Sequence, residues 1–249
     1  MIRIDQSKRA TSSLMLVIVA LSLSVGSRTT FGASRFDRAA AGKFYVSNVT
    51  RFDDCAMFEL FDQVARTANV SLGFENAPGC GFGQRTIVLD DRGRALVATT
   101  AREAFDEIVA LNGHFQWQEI DGMAIVRPAT AWHDADNLLN RPAQSFQLMN
   151  VAAGDALYRV LDAATPRVTY AQSPVRAPGS LEAPVSVDFG GGSLLRALNA
   201  VVRARGDAEW RVGYASGQAA ILVGRLSKLS EPAVGYVSRI VWKAPSEPF

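Results

Sequence analysis

Residues 100–117, TAREAFDEIVALNGHFQW, lie without a gap over residues 193–210, SLLRALNAVVRARGDAEW. Thr100 faces Ser193, Ala104 faces Ala197, Phe105 faces Leu198, Ile108 and Val109 face Val201 and Val202, Gly113 faces Gly206, and Trp117 faces Trp210. Self-similarity of this kind marks a repeated supersecondary unit. Thr100 with Glu103 has the spacing of a capping box, in which two orphan amide donors are satisfied reciprocally. Ala101, Ala104, Phe105, Ile108 and Val109 recur at helical spacing as one apolar stripe. Gly113 falls just past the helix end, where a left-handed conformation disfavours any Cβ. Residues 114–120 and 123–127 then flank Asp121-Gly122, a hairpin signal because both turn positions need positive φ. The second copy follows the same plan: Ser193 or Gly192 caps, Gly206 stops the helix, and residues 208–214 and 218–224 pair across 215–217.

Upstream the likeness continues with insertions. Residues 55–68 place Phe58, Leu60, Phe61, Val64, Ala65 and Ala68 on one helical face, and residues 70–74 alternate as a short strand. Residues 151–164 offer Ala153, Leu157, Val160, Leu161 and Ala164 before a strand at 168–170. Another strand is expected at 86–89 and at 185–189, with an edge strand at 44–49 or 146–149. The expected fold is therefore α+β, two tandem small modules, each with two helices packed on one face of a short mixed sheet. The modules span residues 43–128 and 145–226, joined by a linker at 129–144 in which Leu138 and Leu139 dock, and followed by a tail at 227–249.

Each copy resembles the secretin and TonB short N-terminal (STN) domain, a periplasmic module of secretins and of signal-transducing TonB-dependent receptors. The resemblance rests on a capped helix with Ala followed by Leu or Phe, a Gly stop and an aromatic-bearing hairpin. These stand as TTAREAFDEIVALNGHFQWQEIDGMAIV at 99–126 and GGSLLRALNAVVRARGDAEWRVGYASGQAAILV at 191–223. It implies a Gram-negative periplasmic location and an envelope protein partner, such as a secretin, a pilus component or a TonB-linked receptor. In one respect the chain departs from secretins and receptors, which carry a membrane barrel: none is expected here, because the residues after Gly224 are too few for strands of about 9–11 residues each.

Composition bounds the function classes. The chain has 249 residues, 48% hydrophobic and 20% charged, with a formal net charge of +2, without the concentrated basic footprint of a nucleic-acid binder. Arg3, Lys8 and Arg9 precede an apolar run at 14–25, LMLVIVALSLSV, which as a helix rises only about 18 Å against about 30 Å of hydrocarbon. Charged head, short apolar middle and small-residue exit read as a signal peptide at 1–27, cut after Ser27; an uncleaved anchor is the alternative. Cleavage leaves a neutral chain with no stable membrane insertion.

In an exported chain Cys55 and Cys80, the only two cysteines, are expected to form a disulfide rather than free thiols. No nucleophile–base pair, phosphate loop or metal-ligand spacing is visible, so the reading is non-enzymatic, with no cofactor and no metal. His133, Asp134 and Asp136 read as a solvated linker cluster, and the glycines at 190–192 as a permissive turn. Trp117 and Trp210 read as matched core aromatics or, if exposed, as partner surface. The tail at 233–242 is expected to be a strand, pairing either inside the second module or with a partner's sheet edge. The partner-binding candidates are Tyr236, Val237, Ile240, Trp242 and Trp132. The expected function is a periplasmic adaptor of a secretion, pilus or TonB-linked assembly. The alternative is a periplasmic ligand or glycan binder that stacks its ligand on Trp132, Trp117 and Trp210.

Overall fold

A computed structural model describes residues 34–39, 44–49, 54–80, 89–176, 184–206, 208–215, 218–225 and 236–242. The expected signal peptide lies outside the described residues.

Among the described residues four α-helices form where apolar stripes meet a start or a stop. Helix α1, Met57–Ala68, ends on Asn69 at φ 52°. Helix α2, Ala101–Leu111, carries the full capping box of Thr100 and Glu103. Helix α3 is Ala153–Asp162; α4, Leu194–Arg205, starts on the Ser193 side chain and stops at Gly206, φ 81°. Gly113 departs from its expected role: α2 ends through Asn112 in an extended conformation, φ −142°, and the Asn112 Oδ1 accepts the His114 amide at 3.0 Å. An Asn side chain that satisfies the next free amide removes the need for a left-handed residue.

The strands are β1 Tyr45–Val49, β2 Leu72–Glu75, β3 Leu89–Ala95, β4 Phe115–Ile120, β5 Met123–Pro128, β6 Pro142–Ala143, β7 Phe146–Ala152, β8 Thr169–Arg176, β9 Pro184–Phe189, β10 Gly192–Ser193, β11 Ala208–Ala215, β12 Gln218–Arg225 and β13 Tyr236–Trp242. In each repeat the strands divide between two sheets. Antiparallel ribbons β1–β3 and β7–β9 stand apart from one sheet of order β4-β5-β2-β11-β12-β13-β8. Helix α1 touches both β1 and β2, and α4 both β9 and β11. Helices and mixed sheet pack as expected, α1 on β2, α2 on β4 and α4 on β11, and the ribbons add a second contact for α1, at β1, and for α4, at β9. Of the strand expected at 86–89, Leu89 is seen in β3, which continues to Ala95; residues 86–88 lie outside the described residues.

The class is α+β, and the two copies are fused through their sheets. Strand β2 of the first repeat runs parallel to β11 of the second, with Gly73 opposite Trp210, Phe74 opposite Arg211 and Glu75 opposite Val212. The side-chain alternation of a strand sends successive residues to opposite faces, and here both faces are covered. Leu72, Phe74, Ala124 and Val126 join the first core with Phe61, Phe105 and Phe115. Met123 and Ile125 join the second core, with Leu157, Leu198, Trp210 and Ile221. That is why β5 is buried along its whole length. Phe36, ahead of the expected module boundary, also enters the first core, its ring 5.7 Å from Trp117.

The linker docks as expected, with Leu138 and Leu139 buried in the second core. Gly191 and Gly192 take φ 98° and 145°, conformations open to glycine, on the way into the short β6–β10 pairing. The tail strand β13 takes the internal one of the two alternatives: it is hydrogen-bonded to β12 on one side and to β8 on the other.

Candidate functional site at the seam between the repeats

The alternation that aims Met123 and Ile125 at the second core aims Arg127 the same way, where it meets Glu75 and Tyr214 from the two paired strands. Glu75 and Arg127 side chains are each 1% exposed, with Nε donating to Oε2 at 2.5 Å. Asn137 Nδ2 and Tyr214 OH both donate to Glu75 Oε1. The remaining guanidinium nitrogens donate to Asn140 Oδ1 and Asn137 Oδ1, each at 2.8 Å. Arg127 also lies over the half-buried Trp132 ring, 5.1 Å from its centroid. Burial first, and then the neighbouring Glu75 charge, hold the Tyr214 phenol well above its usual range. Glu75 accepts from three protein donors and Arg127 gives to three acceptors, so this network clamps β2, β5, β11 and the linker together.

The opposite face of the same seam carries a second charged group. Arg211, next to Trp210 on β11, lies 3.9 Å over the Phe58 ring of α1, and its Nη2 reaches Asn76 Oδ1 at 3.4 Å. Burial, followed by the charge of Asp62, pushes the Glu209 carboxyl up to about 8. Burial also lowers Arg211 to about 10 and raises Asp62, which is bonded to Arg66 at 2.7 Å. Glu209 Oε2 is buried without a hydrogen-bond partner, the situation in which a carboxyl keeps its proton.

Cys55 and Cys80 are bridged, with Cα atoms 5.2 Å apart. The bridge fastens the segment that prolongs the seam past β2. The Asn76 amide donates to Val212 O at 2.8 Å, and the Tyr214 amide to Cys80 O at 3.2 Å.

The tryptophans separate by environment. Trp210 is fully buried, its Nε1 donating to Asn199 at 2.8 Å. A Cβ on Gly73 would meet it at 2.3 Å, so the matched position is core. Trp117 packs on Phe105 with Arg102 over its face and donates to Asp106. Trp132 is half-buried against Arg127 in the linker, whereas Tyr236, Val237, Ile240 and Trp242 stand on β13. His133, Asp134 and Asp136 are exposed, and Asp134 Oδ1 accepts the Asp136 amide in a local turn. Among the described residues no group of three or more His, Cys, Asp or Glu could hold a metal ion. Two open clefts of about 440 Å³ each lie at the C-terminal end of α1 and beside the β4–β5 hairpin tip.

Glu75, Arg127, Asn137, Tyr214, Glu209 and Arg211 escaped the sequence reading. Their signal was there: Glu75 and Arg127 are single charges closing otherwise apolar runs, LGFE and MAIVR. No family model, curated protein or solved structure matches the chain.

Proposed function

We propose that the chain is a non-enzymatic adaptor of the Gram-negative cell envelope, exported to the periplasm and built from two STN-like modules, whose partner is a secretin, a pilus component or a TonB-linked receptor. The observation that carries the reading is the shared sheet. It welds the two modules into one body and, among the described residues, ends in strands β4 and β8 with one edge each unpaired. Such edges accept an extended partner strand through main-chain bonds. The disulfide is consistent with an oxidising compartment, and among the described residues no helix is long and apolar enough to cross a membrane. The network at the seam supports recognition rather than turnover, since its charged groups are consumed by one another. The glycan-binding alternative loses Trp210, which is enclosed by protein, and keeps Trp117 only with its face covered by Arg102.

The test is capture of envelope proteins by the full chain carrying a photo-crosslinker at Gln118, an exposed position on β4. The capture is repeated with Gln116→Lys, a charge placed on the same strand to block edge pairing. A secretin, pilus or receptor component identified by mass spectrometry, and reduced at least fivefold by the substitution, is the expected result; an identical capture profile would refute the use of this edge.

A further inference from the structure

Among the described residues the two repeats differ in the order of their strands in the shared sheet. In the first, β2 runs parallel to β5, with Leu72 opposite Ala124, Gly73 opposite Ile125 and Phe74 opposite Val126. Their counterparts in the second, β8 and β12, are not neighbours. Strand β13 lies between them and is antiparallel to both, Ile240 facing Ala220 on one side and Ala171 on the other. Two strands that are each antiparallel to a third are parallel to one another, so β8 and β12 keep the mutual sense of β2 and β5. The slot between them is already oriented to close.

The register of closure can be read from the first repeat. Val126 faces Trp117 across the first hairpin and Val223 faces Trp210 across the second, which makes Leu222 the counterpart of Ile125. Val168 and Val70 are the core residues that follow the first helix of each copy, which makes Ala171 the counterpart of Gly73. Ala171 would then stand opposite Leu222. The lateral alignment through β13 instead puts it opposite Ala220, two residues away. Both registers keep core-facing positions toward the core, because strand side chains repeat every two residues. The pairing of β13 with β8 is itself interrupted between Val237 and Arg239.

We propose that β13 is an exchangeable donor strand. When Tyr236–Trp242 withdraws, β8 and β12 pair directly as β2 and β5 do, and the withdrawn strand is offered to the open sheet edge of the envelope partner. The slot recovers its main-chain hydrogen bonds by closing, so one strand alone is left with unpaired amides and carbonyls. A sheet edge elsewhere satisfies those groups with little demand on sequence. The partner half rests on the adaptor reading; closure of the slot does not.

The experiment uses two full-length double variants, Ala171→Cys with Leu222→Cys and Ala171→Cys with Ala220→Cys, oxidised with glutathione disulfide and mapped by mass spectrometry. With β13 in place these positions are two strand spacings apart, about 9.5 Å, beyond the Cα separation of about 6.8 Å that a disulfide spans. Ala220→Cys with Ile240→Cys, adjacent in the observed sheet, is the control that locks the tail in. The expected result is a cross-link in one of the first two variants, and no cross-link in either, while the control forms, overturns withdrawal. Cross-linked and tail-locked proteins then go through the same envelope capture, with the photo-crosslinker moved from β4 to Ser238 of β13. At least fivefold more of the same partner on the tail-out form is expected, and equal capture overturns the tail as the offered strand. If wild type, tail-out and tail-locked forms all capture nothing specific, the adaptor reading fails while the cross-link still decides slot closure.

Discussion

Gly73 and Trp210 share one volume, and neither position announces this alone. In sequence Gly73 is a small residue inside a short apolar run, and only the parallel pairing of β2 with β11 shows that the indole occupies the space of its missing Cβ. Gly73→Ala is expected to cost about 1–3 kcal/mol, the usual range for overpacking a filled core, measured by urea denaturation. Its effect should be non-additive with Trp210→Phe, as expected for residues in contact. Glu209 gives a second expectation, in pH. Its folded-state value, about 8, lies above the ordinary carboxyl range, so the folded chain holds a proton that the unfolded chain has lost. Its contribution is complete below about pH 4.5 and falls away as pH rises through about 8. Asp62, raised as well, acts with the same sign, and Arg66 and Arg211 are the cations facing the pair. Glu209→Gln should flatten the fall of stability between about pH 5 and pH 8; an unchanged slope in chemical denaturation would refute the assignment. Two glycines matched by the repeat likewise divide only in the structure: Gly206 takes the left-handed stop, whereas at Gly113 a neighbouring Asn side chain does that work.

At the scale of elements, the parts written in local chemistry were legible. Thr100 and Glu103 form the capping box, and Thr100→Ala should lower stability by about 1 kcal/mol, read as a shift in thermal midpoint. The apolar stripes of α1 to α4 and the Asp-Gly hairpin were equally readable, because each depends on residues a few positions apart. The run of β3 on to Ala95 has no local signal, because LDDRGRA has turn-like composition, and pairing with β1 overrides that propensity. The polar clamp was not anticipated, since Glu75 and Arg127 are 52 residues apart and their encounter needs β2 and β5 side by side. Removing one member of a buried ion pair strands the other charge. Arg127→Met is therefore expected to cost about 3–5 kcal/mol in urea denaturation, whereas a cost within the spread of surface substitutions would show that solvent reaches Glu75.

At the scale of the molecule, the likeness of 100–117 to 193–210 could be read from sequence, but the joining of their strands in one sheet could not. Which strand edges meet is set by contacts between β2 and β11, separated by most of the chain, and no local pattern encodes that choice. The disulfide belongs to this level because its partner segment carries seam bonds to Val212 and Tyr214. Cys55→Ser with Cys80→Ser should lose about 3 kcal/mol in the chain-entropy model. Hydrogen exchange in residues 208–215 should quicken more than in α4. Strand β5 carries the widest consequence. Because its alternate residues complete two different interiors, neither copy can be cut away at the linker without leaving the other with a wound along Met123 and Ile125 or along Ala124 and Val126. Calorimetry should accordingly record one cooperative melting transition for the pair, and halves expressed separately should aggregate. Residues 33–249 hold together as one compact unit, and a cut at the linker would expose an interior on each side.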